Sequence, residues 1–234
     1  MIPVYVKTET FSEPDASMYY LVAADGAFLV KKTDLYRSVT RCDRIAGLEP
    51  QSPSVTLDVP KLPRRFLERV YGFFEAVYRT CAGEAIVFVF YQPERCDFRI
   101  GVPTQTVRRY WYQGTWRTEG HVEYESMSRP QGYLKLGDIH SHGSLSAFFS
   151  SVDDLDDRED GLRLVLGRLH IKPPDCCASF VAGGSRFKLD VEAVAEDFGE
   201  PIPPPPSWLE RVRVRDEPGY VSWPSPSERY DETR

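Results

Sequence analysis

No apolar run in this chain is long enough to span a bilayer: the longest, Ala85 to Tyr91, falls far short of the roughly 20 residues a spanning helix needs. The first twenty residues interleave charged and polar side chains where an export signal would show a basic start and an apolar block, so a soluble, cytoplasmic protein is expected. Cysteine is sparse and odd in number, five residues including an adjacent Cys176-Cys177 pair, which suits neither a disulfide framework nor metal-finger spacing and agrees with a reducing cytoplasm. A basic surplus is also missing. The chain has 29 Lys and Arg against 35 Asp and Glu, a formal charge of -6, whereas a nucleic-acid surface needs clustered cations. Net charge leaves a protein partner open. What is present is core material: 41% hydrophobic and 13% aromatic residues in 234, enough for one large domain or a main domain with a smaller one attached.

Residues 1–59 read as a small β-rich accessory domain. Tyr19-Tyr20-Leu21-Val22 and Phe28-Leu29-Val30 flank Asp25-Gly26, a pair suited to a type I′ hairpin turn. Gln51-Ser52-Pro53-Ser54 and the spaced Pro60 and Pro63 form the connection. A helix is expected from Arg64 to Thr80, because Phe66, Val70, Phe73, Phe74 and Val77 recur at three- and four-residue intervals. Strands are expected at Ala85 to Tyr91, Asp97 to Val102, Val107 to Tyr112, Thr115 to Thr118, His121 to Glu125, Tyr133 to Ile139 and Leu162 to Leu166. A last pair, Cys177 to Val181 and Arg186 to Leu189, joins across Gly183-Gly184, and Gln113-Gly114 marks another hairpin tip. One helix before a mostly antiparallel, partly mixed sheet is an α+β arrangement. Residues 200–234 form a Pro-rich tail whose Pro201-to-Pro206 stretch favours polyproline II, with Trp208 and Leu209 as its docking residues; it reads as a spacer on its own domain or, alternatively, a motif for a polyproline-binding partner.

Histidine is rare, four in all, yet two stand in Gly137-Asp138-Ile139-His140-Ser141-His142. On an extended strand alternate side chains share a face, so His140 and His142 aim their imidazoles into one small volume. Ser150 and Asp153 follow, past a loop long enough to turn back over the strand end. Two His and the Asp153 carboxylate form a three-ligand set that leaves zinc a fourth position for water, the open coordination of a catalytic site.

The spacing His-x-His, seven residues, Ser, two residues, Asp resembles the signature of the JAB/MPN metallopeptidases, the JAMM family. That pattern also carries an upstream glutamate at the start of a hydrophobic strand, and Glu84 stands directly before Ala85 to Phe90. The resemblance runs from about Pro60 to Leu189 and implies a JAB/MPN domain over 60–199, with a cytidine-deaminase-like mixed sheet flanked by helices. It implies zinc (Zn2+) held by His140, His142 and Asp153, Glu84 as general base and later acid, and Ser150 meeting the charge on the carbonyl oxygen. Its substrates would be peptide or isopeptide bonds after the C-terminal glycines of ubiquitin-like proteins, held as an extended tail by addition to a free sheet edge. Ala147-Phe148-Phe149-Ser150, then Asp153-Asp154 and Asp156-Asp157, is similar to a bacterial subgroup encoded beside a ThiF-like activating enzyme and a ubiquitin-like protein, including protein A of PRTRC (ThiF-related) cassettes. Gly143 departs from the proline many members have after the second histidine.

Plainer readings stand beside these. Glu75 or Glu94 competes with Glu84 for the base, and the acidic run Asp154 to Asp160 reads as a solvated turn, because Arg158 and Gly167 break a calcium-loop pattern. Ser141 and Ser144 read as structural, His121 and His170 as ordinary, and Cys42, Cys81 and Cys96 as plain thiols. Two other functions remain: a catalytically silent scaffold binding a ubiquitin-like protein or its activating enzyme, and a different His-x-His hydrolase of the amidohydrolase or PHP phosphoesterase type. The second would want more histidines than this chain has.

Overall fold

The computed structural model describes residues 2–150 and 159–217. Backbone contacts divide the chain into two compact units, Met1–Pro53 and Ser54–Arg234. In the first, β1 (Val4–Val6), β2 (Met18–Ala23), β3 (Gly26–Lys32) and β4 (Arg37–Arg41) form a four-stranded sheet in that order, β1 parallel to β2 and the rest antiparallel. Alternation along β2 sends Tyr19 and Leu21 to one face, where they meet Val30. The β2–β3 turn differs from the expected one. Ala23 pairs with Gly26, so the loop is Ala24-Asp25, neither residue has positive φ, and Gly26 takes φ 141° at the start of β3. A type I′ turn would force a left-handed Ala24, so the unusual backbone falls instead on the residue without a Cβ.

The second unit is built on α1 (Arg64–Cys81), whose buried face carries Phe66, Val70, Phe73, Phe74 and Val77 as the periodicity predicts. Pro63 precedes it and offers no side-chain cap. Glu196, far along the chain, supplies one: its Oε2 accepts the Arg64 N–H at 2.7 Å. At the other end Ala82 is left-handed, φ 55°, and its N–H donates to the Tyr78 carbonyl at 2.7 Å.

Six strands make the main sheet, in the order β12 (Ser185–Leu189), β11 (Asp175–Ala182), β10 (Gly161–Gly167), β9 (Leu134–Ser141), β5 (Ile86–Gln92), β6 (Asp97–Gly101). Only the central pair, β9 with β10, is parallel. β5 reads as an apolar run and β10 as one interrupted by Arg163, because both of their faces are covered. One face, with Val87, Val89, Ile139, Leu162 and Leu164, packs on α1. The other, with Ile86, Phe88 and Phe90, packs on Val122 and Tyr133.

Val122 belongs to a three-stranded sheet, β13 (Val212–Glu217), β7 (Gln105–Tyr112), β8 (Thr115–Tyr124). Two expected short strands, 115–118 and 121–125, are one continuous strand; the register shift opposite, between Val107 and Arg109, absorbs the break in alternation. The hairpin tips at Gln113-Gly114 and Gly183-Gly184 lie where the dipeptides indicated, with positive φ at all four residues. The tail departs from a simple spacer. Its β13 pairs in parallel with β7. Before that, the Ile202 N–H donates to the Glu68 carbonyl at 3.0 Å and Trp208 meets Phe73 edge-on at 5.8 Å. Leu209, expected to dock with Trp208, is exposed. No helix among the described residues is long and apolar enough to cross a membrane.

Close approach of the tail to α1 depends on Gly72, where an added Cβ would stand 1.8 Å from the Ile202 carbonyl oxygen. Gly72→Ala gains helix propensity yet must push the tail outward. We expect a net loss of about 1–3 kcal/mol, read as a lower urea midpoint at unchanged slope.

Candidate metal centre

The parallel β9–β10 pair creates the site. Parallel neighbours cannot be joined by a tight turn, so the chain must leave the end of β9 and travel before re-entering at the start of β10. His140 is next to last in β9 and His142 opens the departing loop. That loop is tied to β10: the His142 N–H donates to the Leu166 carbonyl at 2.8 Å, the Leu169 N–H to Gly143 at 2.9 Å and the Arg168 N–H to Leu145 at 2.6 Å. Gly143 holds φ 54° there. Proline cannot adopt that angle, so the glycine that departs from the family pattern is what this loop path requires.

Antiparallel pairing with β5 brings the third residue. Ile86 is opposite His140. The Ser141 N–H donates to the Ala85 carbonyl at 2.9 Å, and the Ala85 N–H donates to Ser141 Oγ at 3.0 Å, so Ser141 is a buried structural residue. Glu84 lies two residues before Ile86, just outside the ladder; continued alternation puts it on the face that carries Ile86 and His140, at the strand end where His142 follows. Glu84 is half-buried, its Oε1 4.0 Å from where a Cβ on Gly120 of β8 would sit. Neither competing glutamate is here: Glu94 follows the opposite end of β5, and Glu75 lies on α1, paired with Arg79 at 2.7 Å.

The two imidazoles converge. Their Nε2 atoms are 3.3 Å apart, with ring planes at 43°. Metal bonds of about 2.0–2.1 Å at a tetrahedral angle put two ligand nitrogens about 3.3–3.4 Å from each other, so this donor pair fits zinc. His142 Nδ1 lies 3.3 Å from the Ser146 carbonyl. A proton on Nδ1 donated to that oxygen leaves a lone pair on Nε2, the arrangement that orients ligating histidines. Phe148 meets the His142 ring edge-on at 4.7 Å and holds it from the loop side. Ser150 is half-buried at the end of the described loop, just after Phe149, whose ring lies 4.4 Å from the Arg186 guanidinium. Asp153 lies outside the described residues. Among those described, no group of three His, Cys, Asp or Glu is arranged to hold a metal. His121 sits on β8, and His170 is in an exposed turn.

Burial pushes the Cys176 thiol up to about 12 and raises Cys81 as well. Neither is a thiolate near neutral pH, in keeping with plain thiols.

One buried charge pair near the histidines carries no local sequence motif. Asp138 is two residues before His140, hence on the same face, and its Oδ2 is 3.3 Å from Arg163 Nε on β10 with both side chains buried. Arg163 also donates to the Glu159 carbonyl at 2.7 Å and to Leu162 at 3.3 Å. The available signal was an arginine inside Leu162-Arg163-Leu164-Val165, since a charge in a buried strand needs a partner on the neighbouring one.

One long helix packed on a mixed sheet, with a histidine pair at the mouth of its parallel strands, defines an α+β domain with a candidate metal centre. Residues 83–189, less than half of the chain, match the family described as prokaryotic homologs of the JAB domain. The solution structure of protein DSY2949 from Desulfitobacterium hafniense aligns at 15% identity over 37% of this chain and 45% of that one, with a TM-score of 0.23, too weak a likeness to carry any argument. No curated protein matches the chain.

Asp138→Ala removes this carboxylate from beside the buried Arg163 guanidinium. We expect a loss of about 3 kcal/mol in urea unfolding, with Asp138→Asn losing less because an amide oxygen still accepts. Equal stability of all three proteins would show the pair to be idle.

Proposed function

We propose that this chain is a zinc-dependent isopeptidase or peptidase that cleaves after the C-terminal glycines of a ubiquitin-like modifier, for deconjugation or precursor processing in a bacterial ubiquitination-like pathway. The observation that carries this reading is the meeting of the His140 and His142 Nε2 atoms at tetrahedral ligand spacing, with Glu84 on the same face at the same strand end. The match of residues 83–189 to prokaryotic homologs of the JAB domain supports it.

In this reading His140, His142 and Asp153 hold the zinc, and bound zinc supplies a Lewis acid that makes water acidic near neutral pH. Glu84 takes the water proton on its carboxylate and delivers it to the departing amine nitrogen. Its half-buried position beside β8 suits a base that must keep its proton away from bulk solvent. Ser150 donates its hydroxyl hydrogen to the carbonyl oxygen as negative charge gathers there. Conjugates of a ubiquitin-like protein are the substrates, and a ThiF-like activating enzyme is the partner that would make them, in a cytoplasmic setting.

A second reading is a silent scaffold that binds such a modifier or its activating enzyme. Activity separates the two. Incubated with a modifier fused through its terminal glycines to a reporter amine, zinc-loaded protein should release the amine, and His142→Ala should lose both zinc and activity. Glu84→Gln should keep about one zinc per chain and lose roughly 10²- to 10⁴-fold in turnover. Zinc bound without any cleavage by the parent protein favours the scaffold.

A further inference from the structure

We propose that the outer edge of β6 and the adjoining face of α1 form a docking groove for an extended, acidic peptide segment of a partner protein. The groove lies on another face of the second unit from the histidine pair and does not depend on catalysis. It has a volume of about 490 Å³ and is lined by Arg65, Phe66, Arg69, Asp97, Phe98, Arg99, Ile100 and Trp208.

Three observations identify the occupant. First, β6 is the last strand of its sheet, and no backbone hydrogen bond joins its outer side to another described segment. An unpaired edge is a template for one more strand, and backbone pairing of this kind accepts many sequences. Second, the wall beside that edge carries unspent positive charge. Arg65 and Arg69 are exposed and make no ion pair or side-chain hydrogen bond among the described residues. The nearby acids are already engaged: Glu68 binds Arg64 Nε at 3.0 Å, and Asp97 accepts from the Tyr133 hydroxyl and lies 4.0 Å from Arg99, whose guanidinium in turn stacks over the Tyr133 ring. Third, the floor is apolar. Phe98 and Ile100 are only half-buried, with Phe66 meeting Phe98 at 6.0 Å.

Spacing agrees with these. Arg65 and Arg69 are one helical turn apart, about 6 Å, and alternate side chains of a strand are about 6.7 Å apart. A strand laid along β6 with carboxylates at alternate positions therefore meets both guanidinium groups while its backbone completes the edge. The residues between them would point to the opposite face of the sheet, on the side of Asp97 and Arg99.

The test uses the full chain and a fluorescein-labelled (Glu-Val)4 peptide, with (Lys-Val)4 and a twelve-nucleotide oligothymidylate as competitors. Saturable anisotropy change with the acidic peptide is expected, weakening as salt rises. Arg65→Glu/Arg69→Glu should bind at least about tenfold more weakly. Both positions are exposed, so unchanged thermal unfolding will show that the variant is folded. Amide exchange at residues 97–101 should slow in the complex. Absence of binding, equal binding by the double variant, equal competition by the basic peptide, preference for the oligonucleotide, or exchange protection only elsewhere would each overturn the proposal. Zinc content and hydrolysis should not change in the double variant, which keeps this result separate from the fate of the proposed activity.

Discussion

The register between β5 and β9 is the constraint on which the site depends. Ile86 opposite His140 is the last pair of the ladder, and Glu84 precedes it by two residues at the strand end where His142 follows. Because side chains alternate, a slip of one residue would send Glu84 to the α1 face and leave the imidazoles facing a different set of partners. The register is held by burial on both sides. Val87 and Val89 cannot leave the α1 core, and Ile86 and Phe88 cannot leave the layer beneath β8, without exposing large apolar surfaces. Ser141 adds a specific lock, since its backbone and hydroxyl both bond Ala85 at the point where the strands end.

A second constraint fixes the loop. Parallel pairing of β9 with β10 forces a long excursion after His142, and three backbone bonds return that excursion to the end of β10. The left-handed Gly143 begins it. Below the histidines the Asp138–Arg163 pair links the same two strands within a nearly water-free layer, where an opposed charge pair tolerates little displacement. Stability and site geometry therefore share residues. The contacts that align β5, β9 and β10 also aim the imidazoles.

Much of this was legible in the amino-acid order, and the exceptions have physical causes. The α1 boundaries and the hairpins at Gln113-Gly114 and Gly183-Gly184 follow from local periodicity and from residues that accept positive φ. The convergence of His140 and His142 follows from strand alternation alone. What was not legible is long-range. The glutamate that caps α1 is Glu196, and no local pattern at Pro63 announces it. The strand Val212–Glu217 hides in a charged segment with only two valines, because its stability comes from pairing with β7. Asp138 was visible as a residue but not as half of a pair, since the parallel register that joins it to Arg163 is set by the fold. The β2–β3 turn failed for a different reason: Asp25-Gly26 suits a type I′ turn, but strand pairing moved the loop to Ala24-Asp25 and kept Gly26 in β3.

The account rests on two imidazoles sharing one ion. Zinc K-edge absorption spectroscopy of the zinc-loaded chain tests this most directly. It predicts two imidazole nitrogens at about 2.0 Å with oxygen completing the shell and no sulfur. A sulfur scatterer at about 2.3 Å, or a shell with a single imidazole, would contradict it.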